Sequence, residues 1–379
     1  MKQVPVLVLA GWILASAIAI PPAGGPATGE AANRAQAVTN GKRPAPPPGT
    51  ASRLVLEEHF VVSSGDSPGL DYSDLNALAV RPDGSLFVLD SKESRVLAFD
   101  GKGKFLFAFG KKGQGPGEMN MPVGLSFSLA DELIVEDALN QRLAFFDLKG
   151  KFLRHLSTAK ALGLSGIQMD AQGRVVARSM GLAEGGKLTM DVKAYDKDLN
   201  PLRTLASIEF GNPLQKKINP FSAIAALYAL DSRGNLLLGT QEGYRVKVID
   251  LEGRLLKTIE RPYDPVLVAK EDKDEMMKRL ASADTGGVNV KDMIAWPDAY
   301  PPYGLFVSGD DGRLLVQTFE KGKARREYYW DIFDAEGRYV FRFLSKIEFQ
   351  AWRGGKLYGI EEDEDGFKIL KCYRTRWEK

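Results

Sequence analysis

Cysteine is nearly absent from this chain of 379 residues, and histidine is almost as scarce: Cys372 stands alone, and His59 and His155 are the two imidazoles. A single cysteine excludes an intrachain disulfide and every multi-cysteine metal site. Two histidines leave little for chemistries that use imidazole as base or ligand. Net charge is scarce too. Lys and Arg number 51 against 49 Asp and Glu, a balance of +2, whereas a nucleic-acid surface shows as a strongly basic face. Long apolar runs are missing except at the start, where Lys2 precedes the stretch Val4 to Ile20, which closes on Ala17-Ile18-Ala19. A charged n-region, an apolar h-region and an A-x-A ending make residues 1–19 a secretory signal. Cleavage after Ala19 leaves an exported protein, periplasmic or extracellular. Retention would leave a membrane anchor, but the run is at the short limit for a bilayer span and cleavage is the favoured reading. No cysteine follows it to carry a lipid. Export without disulfides suits a domain with a large core, which needs no covalent staples.

Apolar residues at 44% and charged residues at 26% are ordinary for a globular protein. Residues 20–53 are different: they are rich in Pro, Ala and Gly, including Pro44-Ala45-Pro46-Pro47-Pro48. Such a composition cannot bury enough apolar area to offset its ordering entropy, which predicts a disordered tether.

The rest of the chain repeats itself. Residues 75–110 read LNALAVRPDGSLFVLDSKESRVLAFDGKGKFLFAFG, and residues 122–157 read PVGLSFSLADELIVEDALNQRLAFFDLKGKFLRHLS. Each copy holds four short β-rich runs between tight turns, the pattern of a propeller blade. Inner turns recur at Asp83-Gly84, Asp131, Gln172-Gly173, Arg233-Gly234, Asp311-Gly312 and Gly354-Gly355, each followed by a strand: LFVLD, LIVED, VVARS, LLLGT, LLVQT and LYGIE. Outer turns recur as Asp100-x-x-Gly103, Asp147-x-x-Gly150, Asp250-x-x-Gly253 and Asp334-x-x-Gly337, with Asp196 and Leu199 in the third unit. Asp caps its own turn and Gly supplies a positive φ. Six units result. The sixth lacks a fourth strand, and residues 54–62, LVLEEHFVV, form a strand without another partner. The expected fold is therefore an all-β, six-bladed β-propeller over residues 54–379, its four-stranded antiparallel blades closed into a ring when the N-terminal strand joins the last blade. Closure removes exposed sheet edges.

The string FGKKGQGPGEMNMP (Phe109 to Pro122), with Asp90 and Arg95, and Asp137, Asn140 and Arg142 after second strands, resembles NHL repeats, and more narrowly the exported six-bladed propellers of bacteria. The likeness covers residues 71–157 and the final EEDEDG turn by motif, and residues 158–345 by spacing. It implies a propeller with a central channel and no single reaction. Enzymes resembling this scaffold include an NHL-type amidating lyase and a streptogramin lyase, which rely on histidines at the channel mouth, and lactonases, which hold a divalent metal with Glu, Asn and Asp. Here the inner strands are expected to begin near Asn76, Gly124, Ser165, Ser222, Gly304 and Gln350, with no His and no carboxylate among them. His59 falls in the closing strand and His155 in an outer one. No cofactor and no metal site follow, and a lyase or lactone hydrolase at the channel mouth remains the alternative function.

Other motifs have plain structural readings. KKGQGPGE (Lys111 to Glu118) lacks the Gly-Lys-Ser/Thr ending of a phosphate cradle and leads into a strand. Asp90 with Arg95 and Asp137 with Arg142 read as ion pairs pinning loops. Glu361 to Gly366 lacks the ligand spacing of an EF-hand and reads as a solvated hairpin. The departures from the repeat are more informative. They are residues 179–190, 207–220, 260–303 (with a helix expected near 268–281, its apolar side Met276, Met277 and Leu280) and 320–330. All fall in links that open on one face of a propeller, and long inserts in a compact domain are usually functional or disordered. They carry Trp296, Tyr300 and Tyr303 and, next to aromatics, Arg325 and Arg326; Lys111 and Lys112 lie on a neighbouring link. Aromatics and arginines suit a partner surface. The aromatics also suit a plug that packs the helix onto the rim. The expected function is a monomeric, non-enzymatic binding or scaffold module that engages a protein or glycan outside the cytoplasm through Trp296, Tyr300, Tyr303, Arg325, Arg326, Lys111 and Lys112. No nucleic acid is expected, and no membrane unless the signal segment is retained.

Overall fold

A computed structural model of the chain describes residues 36–161, 163–212, 217–221, 226–240, 243–282 and 290–379. The expected signal segment, and the tether up to residue 35, lie outside the described residues. The described chain forms six antiparallel sheets arranged as blades one to six, a six-bladed β-propeller with one helix. The inner strands are Leu75–Val80, Pro122–Phe127, Ser165–Met169, Tyr228–Leu230, Leu305–Ser308 and Glu348–Arg353. Each lies beside the next in that order, and the sixth returns to the first.

Strand patterning follows position in the blade. The second strands Leu86–Asp90 and Leu133–Asp137 are buried at every residue, because a neighbouring blade covers each face. The outer strand Phe105–Phe109 alternates half-buried and exposed residues, because one face meets solvent. Blade six has its outer strand from the other end of the chain: Arg53–Val62 pairs antiparallel with Lys368–Glu378, from Arg53 opposite Glu378 to Val62 opposite Leu370. The expected ring closure is therefore present.

The outer turns are built as their sequence requires. The Asp100 carboxylate accepts the amides of Lys102 and Lys104 at 2.8 and 2.9 Å, and Gly103 follows at φ 82°. A second constraint acts on that glycine: a Cβ there would lie 2.5 Å from the ring of Phe60 in the closing strand. Leu199, at the corresponding place in blade three, adopts φ 61° as a non-glycine. Its side chain is 4% exposed and packs with Ile134, Leu143 and Phe145 of blade two, so burial offsets a backbone conformation that leucine disfavours.

Two expectations are corrected. Residues 36–52 are not a free tether. Gln36–Thr39 forms a fifth, parallel strand on the outer strand Leu255–Glu260 of blade four. Asn40 then donates to the carbonyls of Glu260 and Gly337 and accepts the amide of Tyr339, and the Ala45 amide donates to the Tyr339 carbonyl. Composition measures what a segment can bury by itself, but here neighbouring blade edges supply the backbone partners. Secondly, several expected inserts are strand extensions. Val175–Ala183 and Lys187–Tyr195 form one long hairpin spanning 179–190, and Leu314–Lys321 with Tyr328–Phe333 form another over most of 320–330. The insert 260–303 does carry a helix, Lys270–Ser282, with Met276 in the core and Met277 partly buried.

Cys372 lies in the strand that pairs with the closing strand, opposite Phe60, and is fully buried; burial pushes its thiol up to about 12. The thiol is expected to be inert to an exogenous disulfide reagent until blade six opens. Gly103→Ala forces a left-handed alanine against Phe60 and is expected to cost about 1–3 kcal/mol. Denaturant unfolding should show that loss, with faster labelling of Cys372 in native buffer.

Candidate functional site

The six inner strands surround a cavity of about 1040 Å³ that follows the propeller axis. Each inner strand starts at the face where the elongated hairpins and inserts emerge and ends at the face of the inner turns. Four of the six, in blades one, two, three and six, have an irregular register near their starting ends. A bulge there turns side chains out of the sheet and frees backbone amides. Side-chain ties to the inner strands join neighbouring blades. Gln350 of blade six accepts the Leu78 amide at 3.1 Å and donates to the Asn76 carbonyl at 3.1 Å in blade one. Gln168 of blade three accepts the Leu230 amide of blade four at 2.7 Å. Glu136 of blade two accepts the Gly166 and Ile167 amides of blade three at 3.0 and 2.7 Å.

Glu136 is the most unusual of these groups. It is 4% exposed, and a Cβ on Gly124 would lie 2.6 Å from its carboxyl carbon, so the glycine is what makes room for it. Burial raises its pKa above the ordinary carboxylate value, and the two amides and the charge of Arg178 oppose that rise. Across the ring, Glu362 pairs with Arg326 and, at 3.0 Å, with Lys368. Lys346 and Glu348, at the start of the sixth inner strand, complete that side of the wall. No group of three or more His, Cys, Asp or Glu side chains able to hold a metal ion is found among the described residues.

The expectation that no carboxylate stands where the inner strands begin is thus corrected. Glu348 opens the sixth inner strand, while Glu136 and Glu362 reach the wall from second strands. The signal was present in the sequence. At the fourth position of the six second strands stand Leu89, Glu136, Arg178, Gly239, Gln317 and Ile360. Scaffold needs alone would keep that column apolar, and the residues that break it line the cavity.

The expected partner residues divide. Tyr303 is 1% exposed and donates to the carbonyls of Thr240 and Arg245 at 2.5 and 2.7 Å; Gly239 gives it space, since a Cβ there would come within 2.6 Å of its ring. Tyr300 is 5% exposed and stacks on Phe319 at 4.4 Å. Both belong to the core that seats the insert, so they are corrected from surface anchors to plug residues. Trp296 is half-buried, edge-on to Phe221, with the Lys273 ammonium 5.9 Å over its ring. Arg325 is exposed, and Arg326 lines the channel at φ 61°. Lys111 and Lys112 are exposed, and Lys111 sits 3.3 Å from Glu118. Asp90 and Asp137 are fully buried loop pins: Asp137 holds the Asn120 amide, Asn140 and Arg142, and Arg142 in turn binds the carbonyls of Gln114, Gly115 and Glu118. His59 and His155 lie in the outer strands of blades six and two, away from the channel.

Fold and cavity together define a six-bladed β-propeller with a charged central channel. In agreement, a family model described as a 6-bladed beta-propeller matches residues 78–228. Among solved structures, the chain is similar to a candidate exported protein from Bacteroides fragilis, with 11% identity, a TM-score of 0.58, and coverage of 91% of this chain and 100% of that one. It is also similar to a member of the duf4221 family from Bacteroides vulgatus, with 9% identity, a TM-score of 0.52, and coverage of 86% and 100%. A gluconolactonase from Xanthomonas campestris aligns at 12% identity and a TM-score of 0.48 over 88% and 99%. These likenesses are of fold alone. No curated protein matches the sequence.

Because burial raises the Glu136 pKa, the folded state binds its proton more tightly than the unfolded chain does. Its contribution to stability is therefore full below the unfolded carboxylate range and is lost as pH rises through the folded pKa. Glu136→Gln is expected to flatten that part of the profile, so the variant loses less stability than wild type between acid and neutral pH. Urea midpoints measured across that range check the difference in slope.

Proposed function

We propose that the protein is an exported, non-catalytic binding module that takes its ligand in the central channel, at the face where the inner strands begin. The observation that supports this reading is the cavity itself. It is about 1040 Å³ in volume and is walled by fixed unlike charges and amides on rigid inner and second strands. A site on strands holds its groups more precisely than one on loops. The aromatic residues of the long insert support the reading indirectly: Tyr300 and Tyr303 anchor the insert to the rim of blades four and five. Lys111, Lys112 and Arg325 are exposed on links at the same face, where they would meet whatever protein or glycan presents the ligand. The NHL-like loop Phe109 to Pro122 and the segment Lys2 to Ala19 support membership of an exported propeller group, with the signal removed.

The channel and the rim make different demands on a variant series. Val123 is half-buried and lines the channel, and Val123→Trp fills the mouth without touching the rim. Any peptide or oligosaccharide from a screening panel that raises the melting temperature of the wild type is expected to do so for the double variant Trp296→Ala, Arg325→Ala. The same compound is expected to leave Val123→Trp unshifted. The opposite pattern, with the shift kept by Val123→Trp and lost in the double variant, would move the site to the rim.

A further inference from the structure

At the face where the inner strands begin, the charged side chains of the channel wall cancel one another locally. On the side of blades two and three stand Glu136 and Arg178, one carboxylate against one cation. On the side of blades five, six and one stand Arg326, Lys346 and Lys368, three cations against the three carboxylates Asp74, Glu348 and Glu362. Each side therefore sums to a formal zero. The pairing is physical as well as formal. Glu362 holds both Arg326 and Lys368, the second at 3.0 Å, and the charge of Arg178 acts on Glu136. Between the two groups, the inner strands of blades one and two give the cavity an apolar strip, made of the half-buried Ala77, Val123, Leu125 and Phe127.

From this we infer that the channel ligand is an uncharged chain rich in hydroxyl groups, a neutral oligosaccharide. The inference rests on the channel reading above and adds the chemical class of the ligand. An ionised ligand meets no unbalanced charge on either side. To reach Arg326 or Lys368 it would have to separate them from Glu362 in a partly desolvated space, which is costly. A hydroxyl both donates and accepts, so neighbouring hydroxyls of one sugar ring can meet a carboxylate and its paired ammonium side by side and leave the pair intact. A trans peptide unit holds its N–H and C=O on opposite edges and cannot meet such a pair with both. The apolar strip suits the other aspect of a sugar, whose C–H faces carry no hydrogen-bonding group and gain by leaving water. The cavity, about 1040 Å³, lies at the top of the roughly 300–1,000 Å³ usual for small-ligand sites, which gives room for several sugar units and not just one.

The probes are cellotriose, maltotriose, mannotriose and tri-N-acetylchitotriose as neutral chains, chitotriose as a cationic one, trigalacturonate as an anionic one, and N-acetyl-trialanine amide as a neutral peptide. Isothermal titration with the full chain is expected to show binding of at least one neutral trisaccharide, with chitotriose and trigalacturonate weaker by about tenfold or more. Two variants move the wall charge in opposite directions. Glu362→Gln removes one carboxylate and leaves +1, and Lys346→Glu reverses an exposed cation and leaves −2. The first is expected to bind trigalacturonate more tightly than wild type does, and the second chitotriose. A folding defect would instead lower the binding of every probe alike. A wild type that binds a charged trisaccharide as tightly as any neutral one, or binds no neutral trisaccharide, would overturn the assignment. An unchanged ranking of the probes in both variants would do the same. Binding of the peptide alone, abolished by Val123→Trp, would overturn the sugar and leave the channel reading standing. Trisaccharide binding unaffected by Val123→Trp would overturn both.

Discussion

Everything in this molecule depends on one pairing between strands from opposite ends of the chain, Arg53–Val62 against Lys368–Glu378. A propeller blade is buried on both faces only if it has a neighbour on each side, so an open ring would leave two blades half-covered. The closing strand prevents that and also reaches across to blade one, where Phe60 occupies the space that the glycine of the outer turn leaves open. The same device recurs around the ring. A Cβ on Gly150 would strike Phe109 of blade one, and one on Gly337 would strike Ile259 of blade four. These three outer turns therefore have a docking role in addition to their conformational one, and the ring is held at its circumference as well as at its axis.

At the axis the ties are polar. Glutamine and glutamate side chains bridge neighbouring blades by accepting inner-strand amides, so the wall of the cavity is also part of what fixes blade spacing. Such a wall is preorganised: its charged and amide groups are held by contacts made before any ligand arrives. At the seam of blades four and five, Asp331 is fully buried and binds Arg261, Tyr244 and Tyr339 at 2.7–2.9 Å. Arg261 directly follows the outer strand of blade four, so this network fixes where the long insert departs, and Tyr300 and Tyr303 fix where it returns.

The scaffold was legible because its demands are local. A hairpin needs Asp and Gly at set spacing, a doubly covered strand needs an apolar run, and both leave marks that repeat. Burial of Tyr300 and Tyr303 was not legible, since a tyrosine in an insert reads the same whether its ring meets solvent or a core; only the partners Phe319, Thr240 and Arg245, brought from other elements, decide it. The strand Gln36–Thr39 escaped for a related reason. Its pairing is supplied by the edge of blade four, and nothing in its own composition announces a strand. The channel charges were legible in principle, as the column of Leu89, Glu136, Arg178, Gly239, Gln317 and Ile360 shows, but only once the six strands are superposed with turns in register.

The N-terminal strap has a kinetic consequence. Gln36–Thr39 pairs with residues near 260, and Arg53–Val62 with residues near 370. The first described strands to leave the ribosome therefore have partners that are made much later, and the partner of Arg53–Val62 is the last described strand. Closure of loops this long must precede the contacts that reward it, which places the chain among slow, high-contact-order folders. The ring cannot close before the strand Lys368–Glu378 is available to pair with Arg53–Val62.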